Sequence, residues 1–240
     1  MVHPPKAKEI IKCLEYLADP VKAKLLQGYF KTGKGEYGEG DKFLGVKVPE
    51  QRKIAGQFWR DVTLDDLKEP IQNPYHEVRL TAVFILVQKF QKSKSEEEKQ
   101  AIVDFYLANK KFLNNWDLVD SSAHKILGPW LYDKDRSLLY ELAHSGQLWV
   151  QRIAVISTFY FIDHDDFSDS LKIAEILLPH PHDIIHKAVG WMIREIGNRD
   201  YHTALQFLRQ HYKNMPRTML RFAIEKFEPE TKHVFLKGTI

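Results

Sequence analysis

The chain has 240 residues, 44% hydrophobic and 28% charged, with 35 Lys and Arg against 32 Asp and Glu. That balance predicts an ordinary globular protein with a buried core, and it excludes a chain dominated by disorder or by membrane spans. A formal net charge of +3 leaves room for a polyanionic partner only through a local basic surface.

The single cysteine, Cys13, rules out an internal disulfide and fits a reducing compartment. Its neighbours Ile10, Ile11, Leu14 and Leu17 predict a buried structural thiol. Met1 to Lys12 lacks the continuous apolar core of a signal peptide. The expectation is a cytoplasmic protein with no membrane segment.

In chain order, residues 6–30 predict one amphipathic helix or two short ones, with Asp19-Pro20 as a break and restart. The stretch Lys31 to Asp41 reads as a loop and contains Gly33-x-Gly35-x-x-Gly38. A dinucleotide fingerprint must follow a strand and open a helix, whereas this one follows a helix, so the pattern predicts a connection. Val48-Pro49-Glu50-Gln51-Arg52 starts the next helix, with Pro49 suited to the first turn.

From there the chain repeats. Apolar helices open near residues 78, 116, 150, 185 and 217, at Glu77-Val78-Arg79, Asn115-Trp116-Asp117, Trp149-Val150-Gln151-Arg152, Ile185-His186-Lys187 and Pro216-Arg217. Less apolar helices lie between them at Glu96–Ala108, Ser137–Ala143 and Tyr201–Tyr212. A two-helix unit of this length predicts an all-α fold, an α-solenoid of helical repeats over 1–240 as one domain, with equivalent positions lining a concave groove. Arg79, Trp116, Arg152, Lys187 and Arg217 would then form a mostly basic column suited to a polyanion.

The stretch Asn114-Asn115-Trp116-Asp117-Leu118-Val119-Asp120 draws the eye for chemistry. A helix opening here puts Trp116 and Asp120 on one face, an indole beside a carboxylate, where a cation is well received. The plainer reading is that Asp117 caps or charges the helix start and Trp116 is core.

Together with Phe43-Leu44-Gly45-Val46, Pro49-Glu50, Leu148-Trp149-Val150-Gln151-Arg152 and Lys187-Ala188-Val189-Gly190-Trp191-Met192-Ile193-Arg194-Glu195, that stretch resembles the AlkD family. These are DNA glycosylases built of HEAT-like repeats that remove alkylated purines, and the similarity runs from about residue 25 to 227. The resemblance implies that Trp116, Asp120, Arg152 and Trp191 surround the damaged nucleotide. It also implies that the lesion stays in or near the duplex instead of entering an enclosed pocket, unlike most glycosylases. Lys47, Arg52, Arg79, Lys187, Arg194 and Arg217 are the expected DNA contacts. Where relatives often carry a Gln-Thr pair before the Pro-Glu, this chain has Lys47-Val48, and Val48 has no side-chain hydrogen bond to offer.

His180-Pro181-His182 with His186, and His164-Asp165-Asp166, invite a metal, but no HExxH or cysteine cluster accompanies them and a structural role is expected. Glu96-Glu97-Glu98 reads as a charged helix start. With the resemblance, the expectation is a monomeric, monofunctional alkylpurine DNA glycosylase acting on double-stranded DNA, with no metal and no organic cofactor. The alternative is a non-catalytic HEAT-repeat scaffold for DNA structures or a protein partner.

Overall fold

A computed structural model describes residues 6–239. Its described residues are helical with no strand; a single parallel bridge joins Lys42 and Tyr75. The chain divides into two compact units, one up to Ile126 and one from Leu127 on. No helix is long and apolar enough to cross a membrane among the described residues.

The first unit opens with α1 (Lys6–Tyr16) and α2 (Pro20–Tyr29). The break falls at Asp19, whose Oδ1 accepts the N–H groups of Val21 and Lys22 while Pro20 takes the first helical position. Ile10 and Leu14 of α1 are fully buried, whereas Cys13 is only half-buried, so the expected buried thiol is not what the structure shows. No residue of α2 is buried; Val21, Leu25 and Tyr29 stand exposed.

The glycine-rich loop closes on itself. Glu36 accepts the N–H of Gly33 at 2.8 Å and Glu39 that of Gly35 at 2.9 Å. Its amides thus face the loop's own carboxylates, which suits a connection and not a phosphate cradle. Beyond it, residues 44–46 are gathered by one buried carboxylate. Glu77 Oε2 accepts from Leu44 N (2.9 Å), and Oε1 accepts from Gly45 N (2.7 Å) and Val46 N (3.3 Å). Gly45 sits at φ +87° against the start of α2, where a Cβ would strike the Asp19 carbonyl.

Next come α3 (Val48–Phe58), α4 (Lys68–Ile71), α5 (His76–Lys92), α6 (Glu96–Ala108), α7 (Trp116–Asp120) and α8 (Ala123–Leu131), the last carrying the division between the units. In the first unit α3, α5 and α7 pack side by side as one row, with α4 and α6 against α5. Every residue of α5 from His76 to Val87 is buried, the polar His76, Glu77, Arg79 and Thr81 among them, so those side chains must find partners inside the protein. The second unit repeats the scheme with α9 (Ser137–Ala143), α10 (Leu148–Ser157), α11 (Phe159–Ile162), α12 (Ser168–Leu177), α13 (Asp183–Arg199), α14 (Tyr201–His211), α15 (Arg217–Ala223) and α16 (Pro229–Lys237). Here α10, α13 and α15 form the row, and α9, α12 and α14 flank it. This row-and-flank packing is that of an α-solenoid repeat. The row helices begin at Val48, His76 and Trp116 in the first unit and at Leu148, Asp183 and Arg217 in the second.

Within the second row α13 and α15 approach closely at Gly190. A Cβ there would lie 2.5 Å from the Met219 carbonyl oxygen and 2.6 Å from Phe222 Cβ. Because one of these is backbone, the helices must separate to admit a methyl group. Gly190→Ala is expected to destabilise the protein by about 2 kcal/mol despite the better helix propensity of Ala, read as a lowered urea midpoint. An unchanged or raised midpoint would show that this contact yields freely.

Candidate active site

The short helix α7 is built from the outside in. Asn115, fully buried and extended, caps it by accepting the Trp116 N–H at 2.9 Å. Leu118 and Val119 point into the core. Ser122 donates to the Leu118 carbonyl at 2.7 Å, and its hydroxyl also meets the Tyr106 hydroxyl at 3.0 Å. Burial, then the nearby Asp120 charge, push the Tyr106 phenol well above its usual range against the relief from Ser122, so it stays a neutral hydroxyl. Trp116 and Asp120 occupy the first and last positions of α7, both half-buried. The indole stacks on Phe30 at 5.3 Å and 14°, with Tyr29 edge-on at 6.1 Å.

Asp117 does more than charge a helix start. Its Oδ2 lies 2.8 Å from His76 Nε2, while His76 Nδ1 lies 3.1 Å from Asp41 Oδ2. Asp41 Oδ1 accepts from Arg79 Nη2 at 2.7 Å and from Asn114 Nδ2 at 2.9 Å. Two carboxylates and one guanidinium balance only when the imidazole is charged, and both of its nitrogens face carboxylates. Burial works against that charge, but Asp117 and then Asp41 outweigh it and hold the His76 pKa up at about 9. Asp41, although burial opposes its ionisation, is held below the carboxylate range chiefly by His76 and Arg79.

A raised folded-state pKa stabilises the protein fully below the unfolded value of 6.5 and ceases to do so above about 9. Between those limits wild-type protein is expected to lose on the order of 3 kcal/mol. Urea unfolding at pH 6.5 and 9.5 checks this; equal stability at both ends would show His76 to be neutral throughout.

The second unit holds the remaining residues singled out by sequence. Arg152 is buried in α10 and donates through Nη1 to the Ile184 carbonyl at 2.5 Å. Trp191 of α13 donates its indole N–H to Glu195 at 2.9 Å and tilts against Phe159 at 5.5 Å. Arg194 is pinned by Glu195 at 2.9 Å and Glu225 at 2.5 Å. Lys187 pairs with Asp183 at 2.8 Å, and Arg217, exposed at the start of α15, donates to the Leu236 carbonyl.

In the first unit Lys47 is exposed and has no side-chain partner among the described residues. Arg52 is exposed and lies 4.1 Å over the Phe84 ring. Arg79 departs from the expected basic column, since it is 3% exposed with its guanidinium turned to Asp41, Asn114 and the Asn73 carbonyl. The structure thus joins Trp116 and Asp120 on one five-residue helix in the first unit and places Arg152 and Trp191 in the second.

Sequence reading missed His76 and Asp41. Their partners lie 35 and 41 residues from His76, so no local pattern announces them. The histidines set aside as structural have such roles: His182 caps α13 by accepting the Ile184 N–H, and His186 Nε2 contacts the His180 carbonyl. No group of three metal-type side chains gathers among the described residues.

These features can be compared with known proteins. A solved structure described as a predicted DNA alkylation repair enzyme from Enterococcus faecalis superposes with a TM-score of 0.68 at 17% identity, covering 88% of this chain and 97% of that one. At that identity the likeness speaks to fold. No curated protein matches the chain. The sequence model of the family described as DNA alkylation repair enzyme matches residues 10–227, and the chain belongs to that family.

Proposed function

We propose that the protein is a DNA glycosylase that hydrolyses the N-glycosidic bond of purines alkylated at N3 or N7 in duplex DNA. The observation that carries this reading is the pairing of Trp116 and Asp120 at the two ends of α7 in a chain of the DNA alkylation repair family. An N3- or N7-alkylated purine is already cationic. It leaves as a neutral base when the C1′–N bond breaks and keeps that bond's electron pair, so no general acid is required. The sugar left behind carries oxocarbenium charge and needs a counter-charge and a water. Asp120 as a carboxylate supplies the first and accepts a hydrogen bond from the second. Water adds at C1′, its proton is released, and an abasic site results. The electron-rich face of Trp116, braced by Phe30, suits the cationic nucleotide, with Trp191 in the same role. Arg152 fits as the residue that fixes the strand. In this reading the protein works as a monomer on duplex DNA.

A second reading, a non-catalytic scaffold for DNA structures or a protein, draws on the arginines spent internally. Arg79 and Arg152 are buried and Arg194 is held by two carboxylates. Duplex affinity separates the partners. If DNA is bound, log affinity falls linearly with log salt, and Lys47→Gln reduces the slope by about 1. Salt-independent association would argue for a protein partner. The enzyme itself is tested by release of methylated base from alkylated duplex DNA, with Asp120→Asn beside wild type. Wild type that binds the duplex and releases no base would leave only the scaffold.

A further inference from the structure

We propose that His76 is the positioning residue of this site: bridging Asp41 and Asp117, it holds α7 in the orientation that presents Trp116 and Asp120. The proposal rests on the reading of those two residues as the catalytic pair. A helix of five residues has no stability of its own, so its direction is whatever its attachments impose. Core packing of Leu118 and Val119 fixes depth. The polar attachment from α5, the central helix of the row, is His76 Nε2 to Asp117 Oδ2 at 2.8 Å.

The same imidazole reaches α7 by a second route. Phe30 lies between the two rings, 4.8 Å from His76 and stacked on Trp116 at 5.3 Å. Phe43 stacks on His76 at 4.7 Å and on Phe30 at 5.0 Å. One side chain thereby braces both the carboxylate next to the indole and the ring that backs the indole. Its charge favours each contact: an ion pair with Asp117, and a cation against the faces of Phe30 and Phe43.

The charged groups facing His76 are Asp41 from the loop before α3, Asp117 from α7 and Arg79 from its own helix; Phe30 and Phe43 cover it from the remaining sides. Glu77 is turned toward the backbone of residues 44–46. Deprotonation of the imidazole takes one donor from this bridge and leaves two carboxylates facing a neutral ring. The brace on α7 then loosens. A His76→Gln side chain carries both N–H donors on one nitrogen, turns an acceptor oxygen to the other carboxylate and never carries the charge.

The experiment has two readouts. In the first, the indole N–H resonance of Trp116, identified by its loss in Trp116→Phe, is followed by NMR from pH 6.5 to 10 without DNA. We expect an inflection near the His76 value of about 9 in wild type, and a displaced, pH-independent resonance in His76→Gln. A Trp116 resonance that ignores pH in wild type overturns the proposal, whether or not the protein acts on DNA. This arm needs no folded His76 variant. In the second, single-turnover base release by His76→Gln at pH 7.5 is expected to be about tenfold slower than wild type, with unchanged duplex affinity. The wild-type advantage should shrink as pH rises through 9. A variant with the wild-type rate and profile overturns the positioning role. Absence of release by wild type overturns the glycosylase reading instead and leaves the first readout standing.

Discussion

Asp120→Asn is expected to slow single-turnover release of methylated purine by about 10²–10³-fold, while duplex affinity changes less than about twofold. The substitution keeps size and one acceptor oxygen, removes the charge and turns the second acceptor into an NH2 donor. If the carboxylate acts on oxocarbenium character, its loss is felt where that character develops, which is the transition state. The bound ground state already carries a cationic base but no sugar cation, so binding changes little. The half-buried setting of Asp120 strengthens the effect, because solvent screens less there than at an open surface. Weakened affinity at an unchanged rate would remove Asp120 from the chemistry and make it a binding group.

The second large effect concerns stability. Glu77→Ala strips the acceptor from the N–H groups of Leu44, Gly45 and Val46 at once. Glu77 is 1% exposed and Leu44 and Val46 are buried, so water does not readily replace it. At about 1–3 kcal/mol for each unsatisfied buried donor, less what relaxation recovers, the expected loss is about 4 kcal/mol. The measurement is equilibrium urea unfolding at neutral pH. A loss under about 1 kcal/mol would mean that the segment swings out to solvent and was never held by this carboxylate.

Much of this architecture could be read from the chain because its helices carry their own punctuation. The predicted Glu96–Ala108 is α6 to the residue, since Ser95 caps it by accepting the Glu98 N–H and three glutamates load its first turn. Pro49 and Asp19-Pro20 mark starts in the same local way. The indole and carboxylate of α7 were legible because their spacing is internal to one helix. Arg79 was not. A basic residue in the first turn of a helix reads as solvent-facing, yet α5 is buried on every side from His76 to Val87 and lies mid-row, so a charge there turns to a buried partner. The run Leu80 to Val87, apolar but for Thr81, was the available signal. Lys187 differs because α13 keeps a polar face, where it meets Asp183. The His76 bridge is illegible for another reason: it joins a loop, a row helix and α7 across separations that only folding defines.

The absence of any buried residue in α2 has a consequence for how the first unit breathes. Its start is held by the Asp19 cap, by the Asp19 N–H on the Leu44 carbonyl and by the close approach of Gly45, but no side chain between Pro20 and Tyr29 is buried. A ten-residue helix held in that way sits near the balance point between helix and coil. Its amides should therefore exchange with solvent deuterium through local opening, at rates insensitive to low denaturant, while those of α5 wait for global unfolding. Phe30, buried at its end, marks where that looseness stops. The residue that stacks on Trp116 is thus joined to a helix without a buried side chain, so whatever quenches opening of α2 is expected to steady the indole as well.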